Sequence, residues 1–186
     1  MVFIATDRLE LRPFEEGHIT ERYVGWLNDP EVCRYNGHHY FPYTKSGAYR
    51  YLESTSSDKS IIVLAVHLKE TKEHIGNVSI GDIDLLNRSA ALNILLGDKN
   101  QWGQGYAYEA FAALLEHSFS ELNLNRVSCG TLDTNIGMQK VAQKLGMQKE
   151  GTKRSAIYKN GSYHSTIEYS IIKEEYMTMK ADTQSL

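Results

Sequence analysis

Leu95-Leu96-Gly97-Asp98-Lys99-Asn100-Gln101-Trp102-Gly103-Gln104-Gly105-Tyr106-Ala107 is the stretch on which the fold turns. It leaves an apolar segment of strand length, Ala90–Leu96, and enters Tyr106–Phe119, where Ala107, Ala110, Phe111, Leu114, Leu115 and Phe119 fall on one helical stripe. Two glycines make the junction, and glycine permits positive φ and close approach of another group to the backbone. A helix start leaves about four N–H groups unpaired and carries roughly half a positive charge. The amides of Gly103, Gln104, Gly105, Tyr106 and Ala107 are thereby suited to cradle a pyrophosphate. A dinucleotide fingerprint would need Gly or Ala three residues after Gly105, where Tyr108 stands, and no GxxxxGK[S/T] loop occurs in the chain. Two glycines forming an ordinary strand-to-helix turn remain the competing reading.

Working outward, Thr6–Pro13 alternates Leu9 and Leu11 with charged residues, as a half-buried strand does. Ile19, Tyr23, Val24 and Leu27 predict a helix over Glu16–Asn28, broken by Asp29-Pro30, and a second helix spans about Ser46–Ser54. Strands are predicted at Ile61–His67, Ile75–Ile83 and Ala90–Leu96, and again at Arg126–Thr131. Asn135 caps a short helix that ends at Gly146, and Lys149–Tyr158 and Tyr163–Ile172 flank the hairpin signal Asn160-Gly161. Strands in a run and then interrupted by helices predict an α/β fold: a mixed sheet with helices on both faces. Residues 1–179 read as a single domain and 180–186 as a flexible tail.

The 186 residues suit one core-forming domain, and a net charge of −3 gives no general footprint for nucleic acid or anionic membrane. Cys33 and Cys129 lie far apart without a CxxC partner and read as idle thiols of a reducing compartment. Met1–Pro13 carries no apolar signal core, and no run approaches the roughly 18 apolar residues that span a bilayer, so a cytoplasmic protein is expected. His38-His39 has no third ligand at sensible spacing, and no metal is expected.

Several segments together resemble one family. Thr6-Asp7-Arg8-Leu9-Glu10-Leu11-Arg12-Pro13 is similar to the opening strand of the RimJ/RimL branch of the GNAT N-acetyltransferases. Trp102-Gly103-Gln104-Gly105-Tyr106-Ala107-Tyr108-Glu109-Ala110 resembles its acetyl-CoA loop and helix, Asn135–Met147 its second helix, and Tyr158–His164 its closing hairpin. The resemblance runs from about Thr6 to Tyr176 and implies a mostly antiparallel sheet of six to seven strands, splayed in the middle after a bulge in the fourth strand, with acetyl-CoA in the gap. It also implies that main-chain groups of Leu95 and Leu96 pair with the pantetheine arm, and that the Leu95 amide polarises the thioester. Asn135 would position the cofactor or a water, and Trp102 stands where many members have Arg or Gln.

Three departures concern the chemistry. Met138 replaces a serine near the departing thiol, Ala142 a tyrosine acid, and Ala90-Ala91 an Ala-Glu pair. Proton handling then falls to Tyr158, Asp82, Asp84, His38 or His39, and Tyr35, His38, His39 and Asp82 are the expected acceptor contacts. The resemblance implies direct transfer of acetyl from acetyl-CoA to a primary amine, either a protein N-terminus or a small molecule. Trp26–Val32 also looks like a segment of members that acetylate amino sugars and other small amines. A non-catalytic acyl-CoA sensor and a ligand-free interaction domain are the rival readings, and a homodimer is compatible with either.

Overall fold

Along Ile62–Leu68 the side chains alternate: Val63 and Ala65 face one layer of helices, Leu64 and Val66 the other. Both faces of that strand are therefore covered, as the near-continuous apolar run requires. The computed structural model describes residues 1–184. Its strands are β1 (Ile4–Ala5), β2 (Leu9–Pro13), β3 (Ile62–Leu68), β4 (His74–Asp84), β5 (Ser89–Leu96), β6 (Arg126–Leu132), β7 (Gln148–Lys159) and β8 (Ser162–Ile172). The helices are α1 (Glu21–Asn28), α2 (Lys45–Ser56), α3 (Tyr106–Ser120), α4 (Ile136–Lys144) and α5 (Lys173–Gln184).

The eight strands form one sheet in the order β1-β2-β3-β4-β5-β6-β8-β7, antiparallel except for β5 beside β6. Seven of them are the strands expected from the sequence; the eighth is the two-residue β1, which pairs Ile4 with Leu11 and is too short to show a period. α1 and α2 pack on one face through Tyr23, Trp26, Leu27 and Ala48. α3 and α4 cover the other, where Phe111, Leu114, Leu115 and Phe119 of α3 are at most 1% exposed.

Two expectations need correction. The helix expected from Glu16 begins at Glu21, because Thr20 takes an extended conformation and its hydroxyl accepts the Tyr23 N–H, so the preceding Glu16–His18 is a separate 3-10 turn. The tail expected after Met179 instead continues α5 to Gln184, where Lys180 Nζ meets Glu116 Oε2 at 2.6 Å; positions 185 and 186 lie outside the described residues.

A ring cluster fastens the 3-10 turn to the β3–β4 hairpin. The Glu15 N–H donates to His18 Nδ1 at 2.9 Å, which places a neutral His18's proton on Nε2, 3.1 Å from His67 Nε2. His67 in turn donates from Nδ1 to Lys72 O at 2.9 Å. His74 stacks on His67 and donates from Nε2 to Gly76 O and Asn77 Oδ1. Protonating either member of the His18–His67 pair removes the acceptor on which its bond depends. Burial lowers the pKa of all three histidines, that of His74 to about 4. The folded chain thus holds fewer protons here than the unfolded one. This contribution is complete above the ordinary histidine value of 6.5 and is lost as pH falls through the lowered values. Chemical denaturation at pH 7.5 and 5.0 is expected to show a loss to which His74 contributes about 2 kcal/mol, clearly reduced in a His18→Gln, His74→Gln double variant. Equal pH dependence in the two proteins would contradict it.

Candidate active site

The sheet parts in its middle. β5 and β6 run together only from Ser89 beside Arg126 to Ala91 beside Ser128. Beyond that rung β6 continues against β8 as far as Leu132, while β5 continues against β4 alone. The bulge expected on this strand lies instead on its neighbour, where the β4–β5 register shifts between Gly81 and Asp84. The parting opens a cleft of ≈ 1160 Å³, with β5 residues Leu92–Leu96 on one side and Cys129–Thr131 and α4 on the other.

Hydrogen-bond parity decides which β5 groups face that cleft. Phe14 N–H bonds Val63 O, which sets β3 residues 62, 64 and 66 toward β4 and β4 residues 77 and 79 toward β5. The Gly97 N–H bond to Ile75 O gives the same phase independently. Asn93 and Leu95 therefore spend their N–H and C=O on Ser79 and Asn77; on the other edge the Leu92 N–H completes the last rung with Ser128, and the Leu92 C=O, both main-chain groups of Ile94 and the Leu96 N–H face the gap. Of the two leucines expected to offer an amide, Leu95 therefore has its N–H spent on Asn77, while the Leu96 N–H and that of Ile94 face the gap. Leu95 lines the cleft through its side chain, on the α1–α2 face.

The loop after β5 holds a second row of donors. Trp26 lies so close to Gly97 that a Cβ there would fall 1.9 Å from its ring, so the chain can turn only at glycine. Trp102 folds back, and its Nε1–H donates to Leu96 O at 2.8 Å. Gly103 and Gly105 adopt φ of +75° and +83° and deliver the chain to α3 without a side-chain cap. Among the described residues, the N–H groups from Gly103 to Tyr108 donate to no protein acceptor; the first helical bond is Glu109 N–H to Gly105 O. A run of unspent amides at a helix start suits an anion.

The opening strand secures this loop, and the sequence did not show how. Glu109, in the first turn of α3, accepts from Thr6 Oγ1 (2.6 Å), Arg8 N (2.8 Å) and Arg8 Nε (2.7 Å). Arg8 Nη1 reaches Gln104 O at 2.9 Å, and its guanidinium lies over the Tyr106 ring. Burial alone would raise the Glu109 carboxyl, but these bonds and the Arg8 charge hold it below the usual carboxylate range.

Trp102, Gly103, Gly105, Tyr106, Ala107, Asn135, Leu96, Tyr35 and His38 all line the cleft. Gln104 is held beside it through its carbonyl. Asn135 caps α4, its Oδ1 accepting the Met138 N–H at 3.2 Å. Three expected residues lie away from the lining. His39 is exposed at φ +65°, and Asp82 is exposed at φ +51° on the β4 bulge. Tyr158 sits near the end of the edge strand β7, 56% exposed, with its ring against Tyr163. Ala142, where a tyrosine acid would stand, is wholly buried in the core beneath α4.

The α1–α2 side of the cleft is a lobe of phenols and amides: Tyr23, Tyr43 and Tyr51 with Asn77, Ser79 and Asn93. Burial raises the pKa of the three phenols, so they are donors and not bases. His38, at the mouth with its ring edge-on to Tyr43, has its pKa lowered by desolvation and then by the nearby Lys159 charge, which favours neutral imidazole. Glu31 is the carboxylate among the lining residues, and Lys99 Nζ already lies 2.9 Å from it. Cys129 reaches the lining, but burial pushes its thiol up to about 12.

The chain matches the acetyltransferase (GNAT) domain family over residues 8–148. It is 32% identical over 95% of its length to the uncharacterized N-acetyltransferase p20 of Bacillus licheniformis, of which it covers 99%. The crystal structure of spermidine N-acetyltransferase from Vibrio cholerae with CoA and spermine superposes with a TM-score of 0.84 at 21% identity, covering 92% of this chain and 99% of that one. RimL, a ribosomal-protein α-N-acetyltransferase in complex with coenzyme A, gives 0.84 at 20% identity over 94% and 99%. The chain belongs to the GNAT acetyltransferase family, and its activity class is acyl-CoA-dependent N-acetyl transfer.

Gly105→Ala places a Cβ at φ +83° and 3.5 Å from Arg8 Nη2. It is expected to cost about 1–2 kcal/mol of stability and to weaken coenzyme A by about tenfold or more, read by denaturant titration and calorimetry. Unchanged affinity in the destabilised variant would contradict the role given to these amides.

Proposed function

We propose that the protein transfers the acetyl group of acetyl-CoA directly to a primary amine of low basicity, best matched by a peptide α-amino group. The observation that carries the reading is the coincidence of two unspent rows, the N–H groups of Gly103–Tyr108 at the α3 start and the Ile94 and Leu96 N–H groups along the parted strand. The first suits the diphosphate. The second suits the pantetheine amides, as an added strand pairs with an open edge, and an Ile94 or Leu96 amide would stabilise the oxyanion formed when the amine attacks the thioester. The amine nitrogen forms the new C–N bond, CoA leaves as thiolate, and the ammonium proton passes to a base.

His38 is the base we assign, since its ring lines the mouth of the acceptor lobe edge-on to Tyr43, and the lowered pKa favours the neutral imidazole there. The high thiol pKa of Cys129 speaks against an acetyl-cysteine intermediate. One weak base suits an amine near pKa 7.7–8.0, whereas a lysine near 10.4 needs about 2.5 units more help, or about 3.5 kcal/mol. The spermidine relative suggests a polyamine, but the lining here offers no carboxylate beyond Glu31, already paired to Lys99.

Thiol release with a panel of acceptors tests this. Peptides with a free α-amine are expected to give kcat/KM about tenfold or more above Nα-acetyl-lysine and spermidine. Comparable rates on lysine and α-amine acceptors would refute the preference, and CoA binding without turnover on any amine would favour a sensor.

A further inference from the structure

Lys159 ends β7 beside the Asn160-Gly161 turn, a place where lysine ordinarily reaches water, yet it is 5% exposed. Its Nζ lies 2.6 Å from Asn36 O and 3.0 Å from His38 O, and 4.5 Å from the centroid of the Tyr40 ring. An ammonium has three N–H donors, and two carbonyls and a π-face account for all three. No carboxylate among the described residues pairs with it. A buried cation without a counterion is costly, so its surroundings must be held to solvate it.

All three acceptors belong to one short segment, Asn36–Tyr40. The charge therefore gathers that loop about a single point, and the His38 N–H bond to Asn36 Oδ1, 2.9 Å, tightens the same turn. A second tie runs the other way: Tyr40 Oη donates to Tyr158 O at 2.7 Å. The loop is the one that brings Tyr35 and His38 to the acceptor side of the cleft, well separated in the chain from the cofactor loop.

We propose that Lys159 is a positioning residue for the acceptor: through the Asn36 and His38 carbonyls it fixes the Asn36–Tyr40 loop, and so sets affinity for the amine without acting on acetyl-CoA. It touches neither substrate. This rests on the cleft being the acetyl-transfer site, with the loop on its acceptor side.

Two variants separate the clamp from general damage. Lys159→Met keeps a stem of similar length and removes the N–H donors; Tyr40→Phe removes a single exposed hydroxyl and leaves the buried charge in place. In Lys159→Met the acceptor KM is expected to rise about tenfold or more and the acetyl-CoA KM to stay within about twofold, with Tyr40→Phe moving the same way by less. Backbone hydrogen exchange, which needs no turnover, is expected to quicken about tenfold or more at Asn36 and His38, the amides of that loop with acceptors, and to stay unchanged across α3. Unchanged exchange in that loop in both variants, or an acetyl-CoA KM that rises in parallel with the acceptor KM, would overturn the proposal. A wild-type protein that acetylates no amine would overturn the functional reading alone, and the exchange data would still decide the clamp. Should Lys159→Met fail to fold, Tyr40→Phe decides it by the same two readouts.

Discussion

A β-strand whose partner leaves it halfway must find other uses for its backbone, because unpaired N–H and C=O groups shielded from water cost free energy. β5 meets this constraint after Ala91, where β6 turns away toward β8. From the Leu92 carbonyl onward, the groups of Leu92, Ile94 and Leu96 on that edge then face a gap. The protein repays one of these groups itself, since the Trp102 indole covers the Leu96 carbonyl. The rest of the row, like the amides at the start of α3, is laid out for a ligand that is extended at one end and anionic at the other. The Thr6–Arg8 segment and Glu109 keep the two rows in fixed relation, by tying the first strand to the helix that carries the second row.

The two faces of the sheet divide the labour. On the α3 face the wall is apolar and rigid, with α3 side chains wholly buried behind the loop. On the α1–α2 face it is built from phenols, amides and a histidine, held by contacts from distant parts of the chain. His74 orients Asn77 by donating to its Oδ1, and Lys159 holds the loop of His38. Both sides thus depend on ties between distant parts of the chain, Arg8 to Glu109 on one and Lys159 to the Asn36–Tyr40 loop on the other.

What the sequence made legible is what is local in the chain. Gly103 and Gly105 between a strand-like run and a striped helix marked the turn whose amides stand unspent, because φ, helix ends and periodicity are local properties. Strand parity was not legible: a shift of one residue exchanges the groups that face the gap, and the register comes from pairing with β4, so Leu95 was favoured where Ile94 and Leu96 are presented. Tyr158, His39 and Asp82 read as site residues by chemical type alone, and none of the three lines the cleft. Glu109, Lys159 and the His18–His67–His74 cluster carried no local signal, since their partners lie tens of residues away. The Lys159-Asn160-Gly161 motif did announce the hairpin, but nothing in it says that the lysine turns inward.

The central claim is that coenzyme A completes the parted strand and the bare helix start together. Residue-resolved amide exchange by NMR, without and with saturating coenzyme A, tests it most directly. Asn93 and Leu95 should be protected in both states, whereas Ile94, Leu96 and the amides from Gly103 to Tyr108 should exchange freely alone and slow on binding. Protection gained at Leu95 with none at Ile94 or Leu96, or a helix start indifferent to the ligand, would contradict the account.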